Sequence, residues 1–322
     1  MTRERALELI KKSSFAAHTD ALASMLLPTV AIKATPAAPD SLAQGASRFG
    51  GTPDVPSDWQ WPTDPANKPL GFLAQFDLAE IAKHCNESLL PTTGWLCFFY
   101  DVTSKPWGID TADADKWRVD YFQSDAASLC RAAPPEDRSG STATKLCSLQ
   151  FESTFTLPRE EFLTKADPAG RFTRLYDGEP EEPGKIGIDI GDFEDELEPL
   201  IFLTPMDGPD HRLLGNAFEL QGPMPPAFKD IIRLEPTPPR ERVNPFTGER
   251  KMFPGKPATE CAESLKQLLL KTNDWRLLLQ LGSDRQGPGW MWGDMGRLYF
   301  WIPKSALAQH DFSQVWVQLQ CG

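Results

Sequence analysis

Apolar positions along the chain fall into short runs broken by glycine, proline and charge, and the sharpest runs lie near the C-terminus. Leu277, Leu278, Leu279 and Leu281 form one, and Leu298, Tyr299, Phe300, Trp301 and Ile302 form another. Between them stands the glycine-bracketed aromatic loop Gly289-Trp290-Met291-Trp292-Gly293. Two strand-length runs around such a loop predict a β-hairpin. A weaker copy lies much earlier. Phe72-Leu73-Ala74-Gln75-Phe76 matches Leu277-Leu278-Leu279-Gln280-Leu281 with the glutamine in register, and 94–100 matches 296–302 from their glycines onward. Gln75 precedes Gly94 by 19 positions and Gln280 precedes Gly296 by 16. Either a β-unit is duplicated, or two buried hairpins share Leu, Phe and Gly because any two would.

The rest of the pattern is shorter-ranged. Thr2 with Glu4 predicts a helix start, followed by Ala6, Leu7, Leu9 and Ile10 at helical spacing. A second short helix is expected over 20–26, a strand over 29–33, a short helix over 77–83, one or two strands over 146–157, a helical turn over 158–165, and a short strand over 201–203. Residues 259–271 give the clearest helical spacing, with Leu265, Leu268 and Leu269 on one face. A short helix is expected over 303–309, and a last strand over 315–320 with Val315, Val317 and Leu319 facing one way. Many strands, few helices and no regular βαβ alternation predict an α+β fold with mainly antiparallel sheets and a few short helices. The expected organisation is an N-terminal helical segment, 1–45, then one domain, 46–322. Within it two β-units, about 46–160 and 200–322, would be joined by an acidic segment, 177–198.

Composition narrows the function classes. With 322 residues, the chain can bury a large core; 30 Pro and 23 Gly favour turns over long helices. No run approaches the ~18 apolar residues of a membrane span. The N-terminus, with Arg3, Glu4, Arg5 and Glu8, does not read as a signal peptide, so a cytoplasmic setting is expected. Six Cys without a CxxC spacing read as reduced, mostly buried thiols. The net charge of −12 is uneven: residues 177–198 hold ten acids against Lys185, which leaves −3 for the other 300 residues. A body this nearly neutral disfavours nucleic-acid binding, which needs clustered Lys and Arg.

No catalytic motif emerges. The four His (18, 84, 211, 310) form no metal-ligand spacing, and neither GxSxG nor GxxxxGK[ST] occurs. Gly287, Gly289 and Gly293 evoke a dinucleotide loop only superficially, since Pro288 removes an N–H and a strand follows. Asp294 and Arg297 could form an acid–base or ion-pair element at the loop mouth, although Asp294 reads first as a turn residue. His211-Arg212 could bind an anion, although it reads first as a surface pair in a loop. Trp59 and Trp61, in a proline-rich stretch, either cap a core edge or line a groove. The acidic segment lacks a calcium-loop pattern and reads as a solvated flap or as a docking surface for a basic partner.

Ser47-Arg48-Phe49-Gly50-Gly51, Trp61-Pro62, Leu73-Ala74-Gln75-Phe76, Leu213-Leu214-Gly215, Leu278-Leu279-Gln280-Leu281, Met291-Trp292-Gly293-Asp294 and the closing Val315 to Cys321 together resemble the bacterial YwqG-like family, a domain of unknown function. The likeness spans about 45–321. It implies an α+β cytoplasmic protein with no established enzymatic residues; no cofactor or metal is expected. Domains of this appearance are associated with bacterial toxin loci, which implies an immunity role. Two expectations follow. In the first, the protein is a non-enzymatic immunity protein that occludes the active site of a basic toxin through Asp192, Glu194, Asp195, Glu196 and Glu198. In the second, an enzyme or small-ligand binder uses a cleft lined by Trp59, Trp61, Trp290, Trp292, Asp294 and Arg297.

Overall fold

A computed structural model describes residues 1–39, 41–85, 89–109, 111–135, 144–159, 169–176, 179–204, 208–221, 240–243, 250–253 and 275–322. Ten strands pair into one sheet: β1 (Leu27–Pro36), β2 (Arg48–Phe49), β3 (Gly71–Asp77), β4 (Trp95–Tyr100), β5 (Trp117–Phe122), β6 (Cys147–Thr156), β7 (His211–Leu214), β8 (Trp275–Gly282), β9 (Arg297–Pro303) and β10 (Trp316–Gln320). Their order is β10-β9-β8-β7-β1-β6-β2-β3-β4-β5, with every neighbour antiparallel. The α+β expectation is met, with the hairpin at 275–304 as predicted.

A structural repeat is visible in the register. Gln75 faces Cys97 across β3–β4, and Gln280 faces Tyr299 across β8–β9. Both ladders carry a bulge at the same place, between Phe72 and Ala74 and between Leu277 and Leu279. Arg48 pairs with Gln75 and Arg212 with Gln280. A bulge adds one unpaired residue and sharpens local twist, so its repetition at matched positions is a shared feature of shape, not of composition.

The copies are interlocked. β1 precedes β2 in sequence but pairs with β7 of the other copy, while β6 crosses to β2. β1 and β6 bind each other along their whole length, from Leu27–Thr156 to Pro36–Cys147. Thus β6 leads the second copy, and β1, expected as a short strand within the N-terminal segment, lies at the centre of the sheet.

The sheet curls until its edges approach. The Trp117 indole donates to the Val315 carbonyl (3.0 Å), that of Trp316 to the Gly108 carbonyl (2.9 Å), and the two rings meet edge to face at 4.8 Å. Alternation then gives each strand an inner and an outer side. Phe98 and Phe300 touch inside, 5.1 Å apart. Outside, Phe72, Cys97 and Phe99 form a smaller core under Trp59 and Trp61.

Short helices sit around this body. α1 (Arg3–Lys12) is capped by the Thr2 hydroxyl, as predicted, and α2 (Thr19–Ala23) follows. α3 (Leu78–Ile81) is capped by Asp77. α4 (Ile190–Glu196) is capped by Asp189 and followed by α5 (Glu198–Ile201); α6 (Lys304–Ala308) follows β9. Phe193, Leu197, Leu200 and Ile201 pack against Ala6, Ile10 and Leu22 in a separate core. The strand expected at 201–203 is therefore replaced by the end of a helix, with Pro199 in its first turn, a position that suits proline. The helix expected at 259–271 lies outside the described residues. None of the described helices is long and apolar enough to cross a membrane.

Candidate functional site

The buried polar residues of the sheet follow the same repeat. In the first copy the Gln75 amide donates to the Ala46 carbonyl and accepts from the Asp54 N–H. In the second, Gln280 donates to the Asp210 carbonyl and accepts from the Phe218 N–H. Both partners stand two residues before and six after the copy's arginine, Arg48 or Arg212. Each arginine is fully buried and ion-paired. The carboxylate comes from the later position in the first copy (Asp54) and from the earlier one in the second (Asp210). Asp54 also receives Arg131 at 2.5 Å and the Gly45 N–H at 2.8 Å. The Arg212 Nε lies 2.8 Å from Asp210, and another guanidinium nitrogen donates to the Asn216 carbonyl.

The residue before each arginine repeats too. The Ser47 hydroxyl accepts from the Asp77 N–H and donates to Glu80. His211 Nδ1 accepts from the Gly282 N–H, which leaves Nε2–H to face Asp284 at 3.4 Å. Burial alone would raise the Asp284 carboxyl. Hydrogen bonds from His211 and from the Gly287 and Gln286 N–H groups outweigh it and hold the group below its ordinary value. His211 and Arg212 are thus satisfied core residues, not the surface loop pair expected, because β7 is an interior strand between β1 and β8.

A thiol lies in the same region. Burial first, then the Asp284 charge, push Cys147 up to about 11, so it stays protonated and un-nucleophilic at neutral pH. Burial likewise raises Cys97 well above its ordinary value. Cys97, Cys147 and Cys321 are buried thiols outside any disulfide, and Cys130 is an exposed one. Among the described residues no group of three or more His, Cys, Asp or Glu is placed to hold a metal ion.

The six residues of the expected aromatic cleft do not converge. Trp59 stacks on Phe99 at 5.7 Å and Trp61 meets the same ring edge-on at 5.9 Å. Trp292 packs on Tyr100 at 5.8 Å and Trp290 on Phe49 at 5.0 Å. Phe99 and Tyr100 are consecutive on β4, so the two tryptophan pairs occupy opposite faces of the sheet. Asp294 is exposed, whereas Arg297, three residues on, is buried on the outer face. The guanidinium of Arg297 lies 4.2 Å over the Phe218 ring, not against Asp294.

The acidic residues are held on helices. Asp192, Asp195, Glu196 and Glu198 are exposed, while Phe193, Leu197 and Leu200 anchor the same segment. Glu194 is half-buried and ion-paired with Arg159 at 2.8 Å, and Glu196 accepts the Ser14 N–H at 2.6 Å. The end of the segment therefore runs as two short helices, because its apolar residues recur at helical spacing between the acids.

A family profile described as Domain of unknown function (DUF1963) matches residues 47–321. No curated protein matches the chain. The matched span takes in both arginine–glutamine clamps, both bulged hairpins and the α4–α5 helices, and the chain belongs to this family of unknown function.

Proposed function

We propose that the protein is a non-enzymatic binding protein that uses the α4–α5 ridge to dock a basic protein, in the manner of an immunity protein covering a toxin's active site. The carrying observation is the placement of the acids. Asp192, Asp195, Glu196 and Glu198 face solvent together from two helices whose other side is fixed in a core. Asp192 lies three residues from Asp195 and four from Glu196, spacings at which like charges cost a helix about 0.2–0.5 kcal/mol per pair. A basic partner relieves that cost and is steered to the ridge over long range. Glu194, paired with Arg159, supports the ridge more than it contacts a partner. The finer likeness to YwqG-like proteins, and with it a bacterial cytoplasmic setting beside a toxin gene, belongs to this reading.

The test is co-expression with the product of the adjacent gene, followed by co-purification and rescue of growth. Capture and rescue by the wild type, with loss in a variant carrying Asp192→Lys, Asp195→Lys and Glu198→Lys, is the expected result. Equal capture by that variant would remove the ridge from the account, and failure of the wild type to rescue would remove the immunity role.

A further inference from the structure

Neighbouring strands of the sheet are joined by backbone ladders, but β5 and β10, at the two ends of the order, are not paired among the described residues. Residues 105–109 span the gap between them. The Tyr100 hydroxyl donates to the Pro106 carbonyl (2.6 Å), Lys105 Nζ to the Met291 carbonyl (3.0 Å), the Leu319 N–H to the Trp107 carbonyl (3.2 Å) and the Trp316 indole to the Gly108 carbonyl (2.9 Å). Gly108 lies so close to β10 that a Cβ there would stand 1.7 Å from the Val317 carbonyl oxygen. The bond from Trp117 to Val315 and the contact of Trp117 with Trp316 bridge the same gap without this segment.

Detaching the segment costs little. Its two large apolar side chains already face solvent, Trp107 at 42% exposed and Ile109 at 52%, so leaving β10 gives up little apolar burial. Lys105 sits at φ +44°, a left-handed backbone that a lysine adopts only under constraint, and release relieves that strain. The bonds of its own N–H groups are local and survive the movement: Lys105 donates to the Asp101 carbonyl (3.0 Å) and Gly108 to the Asp113 carboxylate (3.1 Å). Few buried apolar contacts, tethers made mostly by side chains and one strained residue place a segment at the low-stability end of a fold.

We propose that residues 105–109 form a strap that lifts from β10 as a unit while the ten-stranded sheet stays paired, a conformational device that uncovers the outer edge of β10 and the Trp316 indole. N–H groups alternate in direction along an antiparallel strand. The Leu319 N–H points away from β9 to the strap, so those of Gln318 and Gln320 point toward β9. Lifting frees the Leu319 amide and leaves its two neighbours bonded. The strap is independent of the acidic ridge.

The experiment is native-state hydrogen exchange of the full chain, read at single amides by NMR. Leu319 is expected to exchange about a hundred-fold or more faster than amides at the centre of β1 and β6, and faster than Gln318 and Gln320. Trp316→Phe keeps a ring but loses the indole donor, and should speed Leu319 by a further factor of roughly three to ten while leaving β1 and β6 unchanged. Should that variant fail to fold, Lys105→Met, which removes the tether to Met291 from a half-buried position outside the sheet, should have the same effect. Exchange of Leu319 at the rate of β1 and β6, exchange of Gln318 and Gln320 as fast as Leu319, or a variant that speeds the whole sheet equally would overturn the strap.

Discussion

Replacing Asp210 by Asn tests whether the duplicated clamps hold the sheet as argued. The change keeps the shape and one acceptor but removes the counter-charge of Arg212, which is fully buried. Hydrogen bonds to charged groups contribute about 1.5–3 kcal/mol each, and Arg212 makes two to this carboxylate. Losing one bond and stranding the charge should cost about 3–5 kcal/mol. An unfolding entropy of about 2.1 cal/mol/K per residue over 322 residues gives about 0.7 kcal/mol/K, so 4 kcal/mol lowers Tm by about 6 °C. Far-UV circular dichroism, melted thermally and titrated with urea at pH 7, measures both quantities. The double variant Asp210→Leu with Arg212→Met removes both charges and should regain most of the loss. A single variant within about 1 kcal/mol of wild type, or a double variant as unstable as the single, would refute the reasoning.

Asp284→Asn should cost about 1–3 kcal/mol at pH 7, because His211 and two backbone N–H groups lose a charged acceptor. The folded-state value of Asp284 is depressed, so its contribution is present above the unfolded value near ~3.9 and fades as pH falls through the folded one. The gap between variant and wild type should therefore close on acidification below about pH 4, and a gap independent of pH would contradict the assignment. Gly215→Ala should destabilise by more than about 1 kcal/mol, since φ is +76° and a Cβ would stand 1.9 Å from the Thr29 hydroxyl oxygen. Gly170→Ala, also at positive φ (+60°) but with nothing near, should cost only the backbone strain. Equal losses at the two sites, by urea denaturation, would argue against the close packing of β1 on the 214–215 turn.

Much of the hairpin repeat was legible because matching glutamines and glycines fall at nearly equal spacing. The arginine clamp was not read, although Arg48-Phe49-Gly50-Gly51 and Arg212-Leu213-Leu214-Gly215 share Arg and the final Gly. Its acidic partner moves from six residues after the arginine to two before it, so no alignment of like residues reveals it. The chain in the second copy turns where Leu214 and Gly215 have φ of +58° and +76°, as Gly50 and Gly51 do at +63° and +70°. Leu214 hides that equivalence, since side chains rarely signal a left-handed backbone.

By itself the sequence determined the fold class, the strand runs and the location of the acids, since these follow from local periodicity and charge. Only the tertiary structure decided that β1 and β6 cross between copies, that His211 and Arg212 lie inside, and that the aromatic residues divide between two faces. Each of those depends on which strands become neighbours. Strand pairing joins residues more than a hundred positions apart, such as Leu27 with Thr156, and no local pattern records it.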